Sequence, residues 1–327
     1  MIRIIDSTLA KIDEYISDRE SLYLFCTYMK EMGIIDLQIS TRVYRLMKEL
    51  PCGINFYLKM GSLEKINEYP GFYKYMIQNG SINEMDCIST HQLNDIREIS
   101  YLKSLEHCEI AEIIGLDDLI CYDYIRYFSE IRKNLNTRNI IFSPENSCDC
   151  ATALAVQWLL SGGEQVATSF NGYGNMAPTE EVFVAMRVVN RYKPNQNIEV
   201  MEKIGSLLEK ITGNSIDDRK PIIGKKIFQV ESGIHVDGIL KNPSNYEPYD
   251  SGMVGKKTEI VIGKYSGTNS IKAKSKELGI GIEDKEILRK ILKKVKIKSM
   301  DLKRCLENEE FDSILKEVIS DGKKVDS

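Results

Sequence analysis

The sequence is 327 residues long, 43% hydrophobic and 28% charged, with a formal net charge of −4. This composition is typical of a globular protein of one large or two smaller domains, and the slight negative charge does not favour nucleic-acid binding. No apolar stretch reaches the roughly 18 residues that a membrane span needs, and the N-terminus lacks the apolar region of a secretory signal. We therefore expect a cytoplasmic protein with no membrane or nucleic-acid partner.

The first 190 residues alternate short β-branched runs with segments of helical periodicity. This alternation is typical of a parallel sheet wrapped by helices. The spacing of about 25–30 residues per unit favours a TIM-type (β/α)8 barrel over a doubly wound sheet. Seven strands are predicted, at residues 2–6, 34–40, 54–60, 84–89, 109–114, 139–143 and 165–170. We therefore expect a degenerate barrel in which one βα unit is unread or missing.

Helix boundaries are indicated at several points of this barrel. Ser17 and Glu20 form an S-x-x-E capping box before a helical segment, and Gly33 stands where that helix should end. After a helix near residues 179–192, a polar connection containing proline indicates a domain boundary. We predict a barrel over residues 1–192 and a carboxy-terminal subdomain over residues 193–327.

The predicted subdomain has helices at both ends and a different character between them. A helix over residues 199–213 is expected to stop at its glycine. From Lys220 to Gly267 glycine and proline are frequent, and we expect irregular backbone there. Two helices follow, over residues 270–280 and 284–295, and the second begins a basic run that we interpret as a solvated helix face.

The eight cysteines are scattered along the chain, and only Cys148 and Cys150 stand close together. A single C-x-C pair is a weak indication of zinc. We interpret the cysteines as buried free thiols in a reducing compartment.

Residues 231–247, ESGIHVDGILKNPSNYE, contain His235, one of only three histidines in the chain, and Tyr246. The neighbouring glycines, Gly233 and Gly238, allow the backbone to approach another surface, and the segment before Tyr246 predicts a rigid turn. An imidazole and a phenol together can hold a proton on a carbonyl or remove one from a carbon acid. We predict an acid/base pair, although a lone histidine is more often structural.

The sequence from residue 231 to residue 267, which ends in VGKKTEIVIGKYSG, resembles the subdomain of the homocitrate and isopropylmalate synthases. Members of that family use a (β/α)8 barrel to condense acetyl-CoA with a 2-oxo acid through a divalent metal. Their subdomain covers the active site of the neighbouring chain in a dimer. The resemblance implies that His235 is the catalytic histidine and Tyr246 the lid tyrosine.

A second segment, residues 140–186, is similar to the last two barrel strands of the same family, with a clear register at Phe142, Asn146, Ala151–Ala153 and Asn171-Gly172. The two histidines that bind the family's metal are replaced by Ser143 and Glu145. Glu145 and Asn171 remain as vestigial metal ligands, because their oxygens could contact a hard cation.

The opening residues, IIDSTLAKIDE, are similar to the family's D-T-T-L-R-D-G-E, whose arginine holds the 2-oxo acid and whose next acid binds the metal. Ala10 and Lys11 stand at these two positions. An ammonium repels a dication at close range even in a fairly polar environment. We therefore expect no complete metal site in this barrel, a divalent metal (Mg, Mn or Zn) in a partner subunit, and a βα unit lost between residues 93 and 108.

The combination resembles the split homocitrate synthases of nitrogen fixation, in which one subunit matches the barrel part of the usual enzyme and the other, omega-type subunit its carboxy-terminal part. The resemblance implies a hetero- or homo-oligomer that makes homocitrate from acetyl-CoA, 2-oxoglutarate and water for the nitrogenase iron–molybdenum cofactor. A partner subunit would carry the complementary barrel.

Two alternatives stay open. The chain could be a catalytically inactive scaffold or regulatory subunit of a related synthase that makes isopropylmalate or citramalate. It could also be an independent barrel lyase or aldolase. His91, near the carboxyl end of a predicted strand, is the best candidate for the active-site residue of such a lyase or aldolase, because barrel active sites lie at that face.

Overall fold

In a computed structural model, the chain forms two compact units, Met1–Gly224 and Lys225–Ser327. Helix Val200–Thr212 belongs to the first unit, where it packs on helix Arg19–Met32, whereas the sequence-based division after residue 192 assigns it to the second. The structure describes residues 2–61, 64–78, 86–105, 110–135, 139–191, 197–247 and 249–325.

Eight parallel strands close into a barrel in the first unit, and the predicted TIM-type architecture is confirmed. Each strand pairs with the next along the chain, and the last pairs with the first, with Arg3 opposite Gln165 and Asp6 opposite Thr168. The strands are β1 (Arg3–Asp6), β2 (Asp36–Ser40), β3 (Asn55–Met60), β4 (Lys74–Gln78), β5 (Cys87–Leu93), β6 (Ala111–Gly115), β7 (Ile140–Pro144) and β8 (Gln165–Thr168).

The expectation that one βα unit has been lost is wrong. The strand that the sequence did not reveal is β4, which pairs with β3 and β5. Its five residues, KYMIQ, mix polar and apolar side chains, so they lack the β-branched run that marks the other strands. The interval between residues 93 and 108, where the loss was expected, contains a 3-10 helical segment, Ile96–Leu105.

The helices around the barrel are uneven, which accounts for its degenerate character. In the described part of the chain, β3 and β5 are followed by 3-10 segments, Ile66–Glu68 and Ile96–Leu105, where an ideal barrel has α-helices. The α-helices of this unit are α1 (Thr8–Lys11), α2 (Arg19–Met32), α3 (Thr41–Met47), α4 (Tyr124–Leu135), α5 (Ala151–Leu160), α6 (Thr179–Val189) and α7 (Val200–Thr212).

Helix α2 starts one residue later than its predicted cap implies. Asp18 is the N-cap, and its carboxylate accepts a hydrogen bond from the Ser21 backbone N–H at 2.7 Å. The predicted Ser17–Glu20 capping box is therefore wrong, because the aspartate directly after Ser17 accepts from the free N–H of Ser21 instead. The helix ends as predicted at Gly33, whose φ of 90° is left-handed.

Alternate side chains of the strands fill the barrel interior, and the others pack under the helices. The interior cluster contains Ile5, Tyr57, Met76, Ile88, Ile141, Ala167 and Met176, with Ile110 packed against it. Outside β7, the rings of Phe128, Phe142 and Trp158 lie with centroids 5.2–5.5 Å apart. These edge-on and tilted contacts hold α4 and α5 against the barrel.

The second unit has a separate core and a short parallel strand pair, β9 (Gln229–Val230) with β10 (Glu259–Ile260). The expectation of irregular backbone from Lys220 to Gly267 is wrong over α8 (Gly233–Lys241), a nine-residue helix that contains His235. The two later helices are confirmed. The unit's remaining helices are α9 (Thr268–Glu277), α10 (Lys285–Leu302) and α11 (Asn308–Val325).

Within the described ranges, no helix has the length and apolar character needed to cross a bilayer. The described cysteines are free thiols, and Cys26 is buried as expected. The expectation of burial is wrong for Cys52, Cys121 and Cys148, which are exposed.

Candidate functional site

The carboxyl ends of the strands bring a group of polar side chains to one mouth of the barrel. On three strands and at the start of a fourth, β6, a polar residue follows an interior residue by two or four positions, so it points to the same inner side. These pairs are Tyr57 and Lys59, Ile88 and Gln92, Ile110 and Glu112, and Ile141 and Ser143. The polar members of these pairs, together with Lys11 and Glu145, form what we call the barrel-mouth cluster. Its residues are Lys11, Lys59, Gln92, Glu112, Ser143 and Glu145.

Glu112 and Ser143 form the buried floor of the cluster. The Ser143 hydroxyl donates a 2.6 Å hydrogen bond to Oε1 of Glu112. Burial raises the pKa of Glu112, while the bond from Ser143 and the charges of Lys11 and Lys59 act in the opposite direction. The hydroxyl of Ser143 thus serves a buried carboxyl group.

Lys11 extends into the same region along the loop that follows β8. A Cβ atom added to Gly174 would lie 2.5 Å from Cδ of Lys11, so the absence of a side chain at residue 174 makes room for the lysine stem. Burial lowers the pKa of Lys11, and the charge of Lys59 adds to this effect, whereas Glu112 and Glu145 oppose it. The charges of one cation and two carboxyl groups therefore act on the Lys11 amine.

These residues do not fit a divalent metal. Among the residues that the structure describes, no three His, Cys, Asp or Glu side chains are grouped so that they could hold an ion. Oε2 of Glu145 accepts a 3.0 Å hydrogen bond from the Gln92 amide. A dication near Glu145 would also meet the charge of Lys11. No metal-dependent step is assigned to this barrel.

Asn171, the other vestigial ligand, lies in a 3-10 segment after β8 with a left-handed φ of 59°. Its backbone N–H donates to Oε2 of Glu180 at 2.9 Å. Glu180 is fully buried, and burial raises its pKa to about 8 despite the nearby charge of Lys220. Its other oxygen, Oε1, has no hydrogen-bond partner. The Asn171 backbone thus helps to hold a buried acid at the start of α6.

Asp6, which belongs to the segment similar to the opening motif of the family, is buried and has a structural role in the barrel unit. Its buried carboxylate accepts hydrogen bonds from the backbone N–H and hydroxyl of Thr8, the N–H of Phe170 and the hydroxyl of Thr179, at 2.5–3.2 Å. Burial raises its pKa to about 6, against the effect of these donors. Asp6 therefore joins the end of β1 to the loop after β8 and to α6.

His91 does not belong to the barrel-mouth cluster. It is offset by one residue from Gln92 in β5, so its side chain points toward the outer layer. Burial lowers its pKa, and its Nε2 atom is buried without a partner. Its position gives no support to the independent lyase or aldolase for which it was the candidate residue.

His235 and Tyr246 lie side by side in the second unit. His235 is on the first turn of α8 and is exposed, and the centroid of its ring is 5.5 Å from that of Tyr246. A 3-10 turn, Pro243–Asn245, follows the helix, and the Tyr246 N–H donates to the Pro243 carbonyl at 2.9 Å. The turn brings the tyrosine back along the helix, so the structure joins the two residues that the sequence paired.

Gly238 makes this arrangement possible. It lies one helical turn after His235, and an added Cβ atom would be 2.0 Å from Cε2 of Tyr246. The phenol ring therefore rests directly on the helix backbone. Ile234, Leu240 and Tyr265 are also exposed in this unit, whereas Val236 of the same helix is buried in its core. Helix α8 thus has exposed apolar side chains near the imidazole of His235.

Comparison with known proteins gives consistent results for both units. A family model described as "Homocitrate synthase post-HMGL domain-like" matches residues 222–303. The chain is 25% identical to the homocitrate synthase omega subunit of Clostridium pasteurianum, over 96% of this chain and 95% of that protein. It is 30% identical to the homocitrate synthase AksA of Methanothermobacter thermautotrophicus, over 79% of this chain but only 64% of that protein.

The barrel also resembles solved structures of low sequence identity. A hydroxymethylglutaryl-CoA lyase from Pseudomonas aeruginosa matches 65% of this chain and 94% of its own with a TM-score of 0.54, at 10% identity. An identity this low establishes the fold alone.

Proposed function

This chain belongs to the isopropylmalate and homocitrate synthase family, and from that premise we propose that it is an acyltransferase subunit of a cytoplasmic homocitrate synthase. The assembly converts acetyl-CoA, 2-oxoglutarate and water into homocitrate and CoA. The observation that supports this proposal most directly is the exposed pair of His235 and Tyr246 on α8. An acid/base pair on the surface of one chain becomes useful when a second chain encloses it.

We further propose that a complementary, barrel-bearing subunit provides that enclosure. The barrel-mouth cluster of this chain has Lys11, Ser143 and Glu145 where a metal-binding barrel of the family would have its acid and histidines. The partner subunit would therefore supply the divalent cation, Mg, Mn or Zn, and that cation would polarise the carbonyl of the 2-oxo acid. Homocitrate from such an assembly would serve as the organic ligand of the nitrogenase iron–molybdenum cofactor.

Within this assembly, His235 carries the proton transfer. Its imidazole removes a proton from the methyl group of the acetyl thioester, and the resulting carbanion attacks the carbonyl carbon of the 2-oxo acid. The imidazolium then returns the proton to the new alkoxide oxygen. Tyr246 lies against the imidazole and donates a hydrogen bond to the thioester oxygen, or orients the histidine. Water then cleaves the thioester and releases CoA.

A second function is favoured by the same barrel-mouth cluster. Because the residues that would bind the metal and the 2-oxo acid are replaced, the chain could be a catalytically inactive scaffold or regulatory subunit of a related isopropylmalate or citramalate synthase. In that case His235 would have no part in turnover, and any effect of the chain on a synthase would survive its replacement.

The test is reconstitution from purified components. The chain alone is expected to release no CoA thiol from acetyl-CoA and 2-oxoglutarate, and the mixture with the barrel-bearing subunit is expected to release it and to form homocitrate. Pyruvate and 2-oxoisovalerate in place of 2-oxoglutarate test the citramalate and isopropylmalate alternatives. Turnover by the chain alone would disprove the need for a partner.

A further inference from the structure

The barrel-mouth cluster contains a half-buried amine for which the proposed condensation has no use, Nζ of Lys11. We propose that the barrel of this chain binds a small 2-oxo acid as an imine on Nζ of Lys11. This inference goes beyond the proposed synthase function and does not depend on it, because it needs neither the partner subunit nor acetyl-CoA.

The cluster has the graded exposure of a small binding site. Lys59 and Gln92 are exposed and form the rim, Lys11 and Glu145 are half-buried, and Glu112 and Ser143 form the buried floor. It lies at the carboxyl ends of the strands, the face at which barrel enzymes bind their ligands. Lys11 is therefore more accessible from the solvent than Glu112 and Ser143 are.

Lys11 is held in a defined position. Its stem lies on the backbone of Gly174, which has a left-handed φ of 68° and no room for a side chain. Burial and the neighbouring charge of Lys59 both lower the pKa of Lys11. Both conditions increase the fraction of uncharged amine, the form that attacks carbonyl carbons.

The other members of the cluster suggest the class of ligand. The exposed ammonium of Lys59 acts on Lys11 through its charge, so a carboxylate could pair with Lys59 while the adjacent carbonyl reacts with Lys11. Glu112 is buried, and burial raises its pKa, which favours the protonated acid. A molecule with a carbonyl next to a carboxylate, a 2-oxo acid, fits an amine, a cation and an acid in this arrangement.

The reaction balances without an oxidant or reductant. Uncharged Nζ of Lys11 attacks the ketone carbon while Glu112 gives its proton to the ketone oxygen, which produces a carbinolamine. The nitrogen returns a proton to Glu112, which passes it to the carbinolamine hydroxyl. Water then leaves, the C–N double bond forms, and Glu112 remains as a carboxylate. In total, an uncharged lysine amine, a protonated Glu112 and a ketone give a protonated imine, an ionised Glu112 and one water.

Reductive trapping tests this proposal on the isolated chain. The protein is incubated with pyruvate or 2-oxoglutarate and cyanoborohydride, and adducts are located by peptide mass spectrometry. We expect one adduct per chain, on Lys11. The variant Lys11→Arg should lose the adduct, and Lys59→Ala should trap more slowly because the cation that pairs with the carboxylate is gone.

Lys220→Arg provides a matched control. Lys220 is also a half-buried lysine of the first unit, but its Nζ is paired with Glu181 at 2.9 Å. This variant should trap as the wild type does. Adducts spread over surface lysines, or full labelling of folded Lys11→Arg, would overturn the proposal. Peptide mapping of the wild type decides the question even if a variant fails to fold.

The outcome is separable from that of the synthase proposal. An inactive mixture of subunits leaves trapping on Lys11 unaffected, and a mixture that makes homocitrate does so whether or not the isolated chain forms an imine.

Discussion

The two units treat their titratable groups in opposite ways. The barrel unit buries Asp6, Glu112 and Glu180, and each of these carboxyls has a raised pKa because of its burial. The second unit leaves its His235–Tyr246 pair at the surface. The buried carboxyls accept hydrogen bonds from groups of their own unit. The imidazole of His235, by contrast, is exposed. We infer that the buried carboxyls Asp6 and Glu180 act on the stability of the barrel, whereas the exposed pair acts on the proposed synthase function.

Replacing His235 tests the functional half of this comparison most severely. In the reconstituted assembly, His235→Ala is expected to lower turnover by roughly 10²–10⁴-fold, the usual contribution of a positioned acid or base. Assembly should be unchanged, because one exposed side chain contributes little to folding. The rate of CoA thiol release measures turnover. The mass of the complex in gel filtration measures assembly.

His91→Gln is the matched control for that experiment. It replaces a histidine on the outer side of β5, away from the barrel-mouth cluster, and should leave turnover near the wild-type value. Wild-type turnover in His235→Ala would support the scaffold function instead.

The stability half of the comparison predicts a pH dependence that originates in the barrel unit. The pKa of Glu180 rises from an unfolded value of 4.5 to about 8 on folding, so the folded state binds the proton more tightly. The resulting stability is fully present below pH 4.5 and is lost as the pH rises through about 8. The loss amounts to roughly 3–5 kcal/mol for a shift of this size.

Glu180→Gln should remove most of that dependence, because the amide stays uncharged while its oxygen can still accept from Asn171. Urea unfolding gives the free energy of unfolding of wild type and variant at about pH 5 and about pH 9. The change between the two pH values should be smaller in the variant than in the wild type. Glu283→Gln, which removes the same charge from an exposed side chain in the second unit, is the control. An unchanged pH slope in Glu180→Gln would show that another group causes it.

Gly238→Ala sharpens the comparison by separating stability from function within α8. An alanine inside a helix is more stable than glycine by roughly 1 kcal/mol. The new methyl would, however, lie 2.0 Å from the Tyr246 ring and displace it from His235. We expect unfolding of the second unit to be unchanged or harder, and turnover of the assembly to fall roughly 10- to 100-fold.

A double-mutant cycle identifies the cause of that loss. If Gly238→Ala acts through the tyrosine, it should have no further effect on turnover when Tyr246 is already alanine. Additive losses in the double variant would mean that the helix backbone, and not the ring, is what matters.

Much of the barrel could be predicted from the sequence because seven of its strands carry β-branched runs at a regular spacing. Strand β4 could not, since its pairing with β3 and β5 compensates for a weak local pattern. Likewise, Asp18 and Ser17 are both good caps, and only the backbone geometry decides that Asp18 is used. Tertiary context determined both outcomes.

The candidate site shows the same division. His235 and Tyr246 stand in one short motif, so their pairing could be predicted, but the contact of Tyr246 with Gly238 depends on where the turn after α8 ends. Lys59 and Gln92 carry no local signal, because their meeting at the barrel mouth depends on strand register across the closed sheet. Glu112 did carry one, a charged residue inside an apolar strand.

The smallest effect concerns the floor of the barrel-mouth cluster. Ser143→Ala removes the hydroxyl that donates to Glu112 and leaves that buried oxygen without its partner. The free energy of unfolding should fall by about 1–3 kcal/mol, the usual cost of an unsatisfied buried group. Ser104→Ala, which removes an exposed hydroxyl bonded to a backbone carbonyl, should change it by less than about 0.5 kcal/mol. If the two variants lost equal stability, the floor would not be a buried network, and the contrast between a barrel that buries hydrogen-bonded carboxyl groups and an exposed reactive helix would lose its basis.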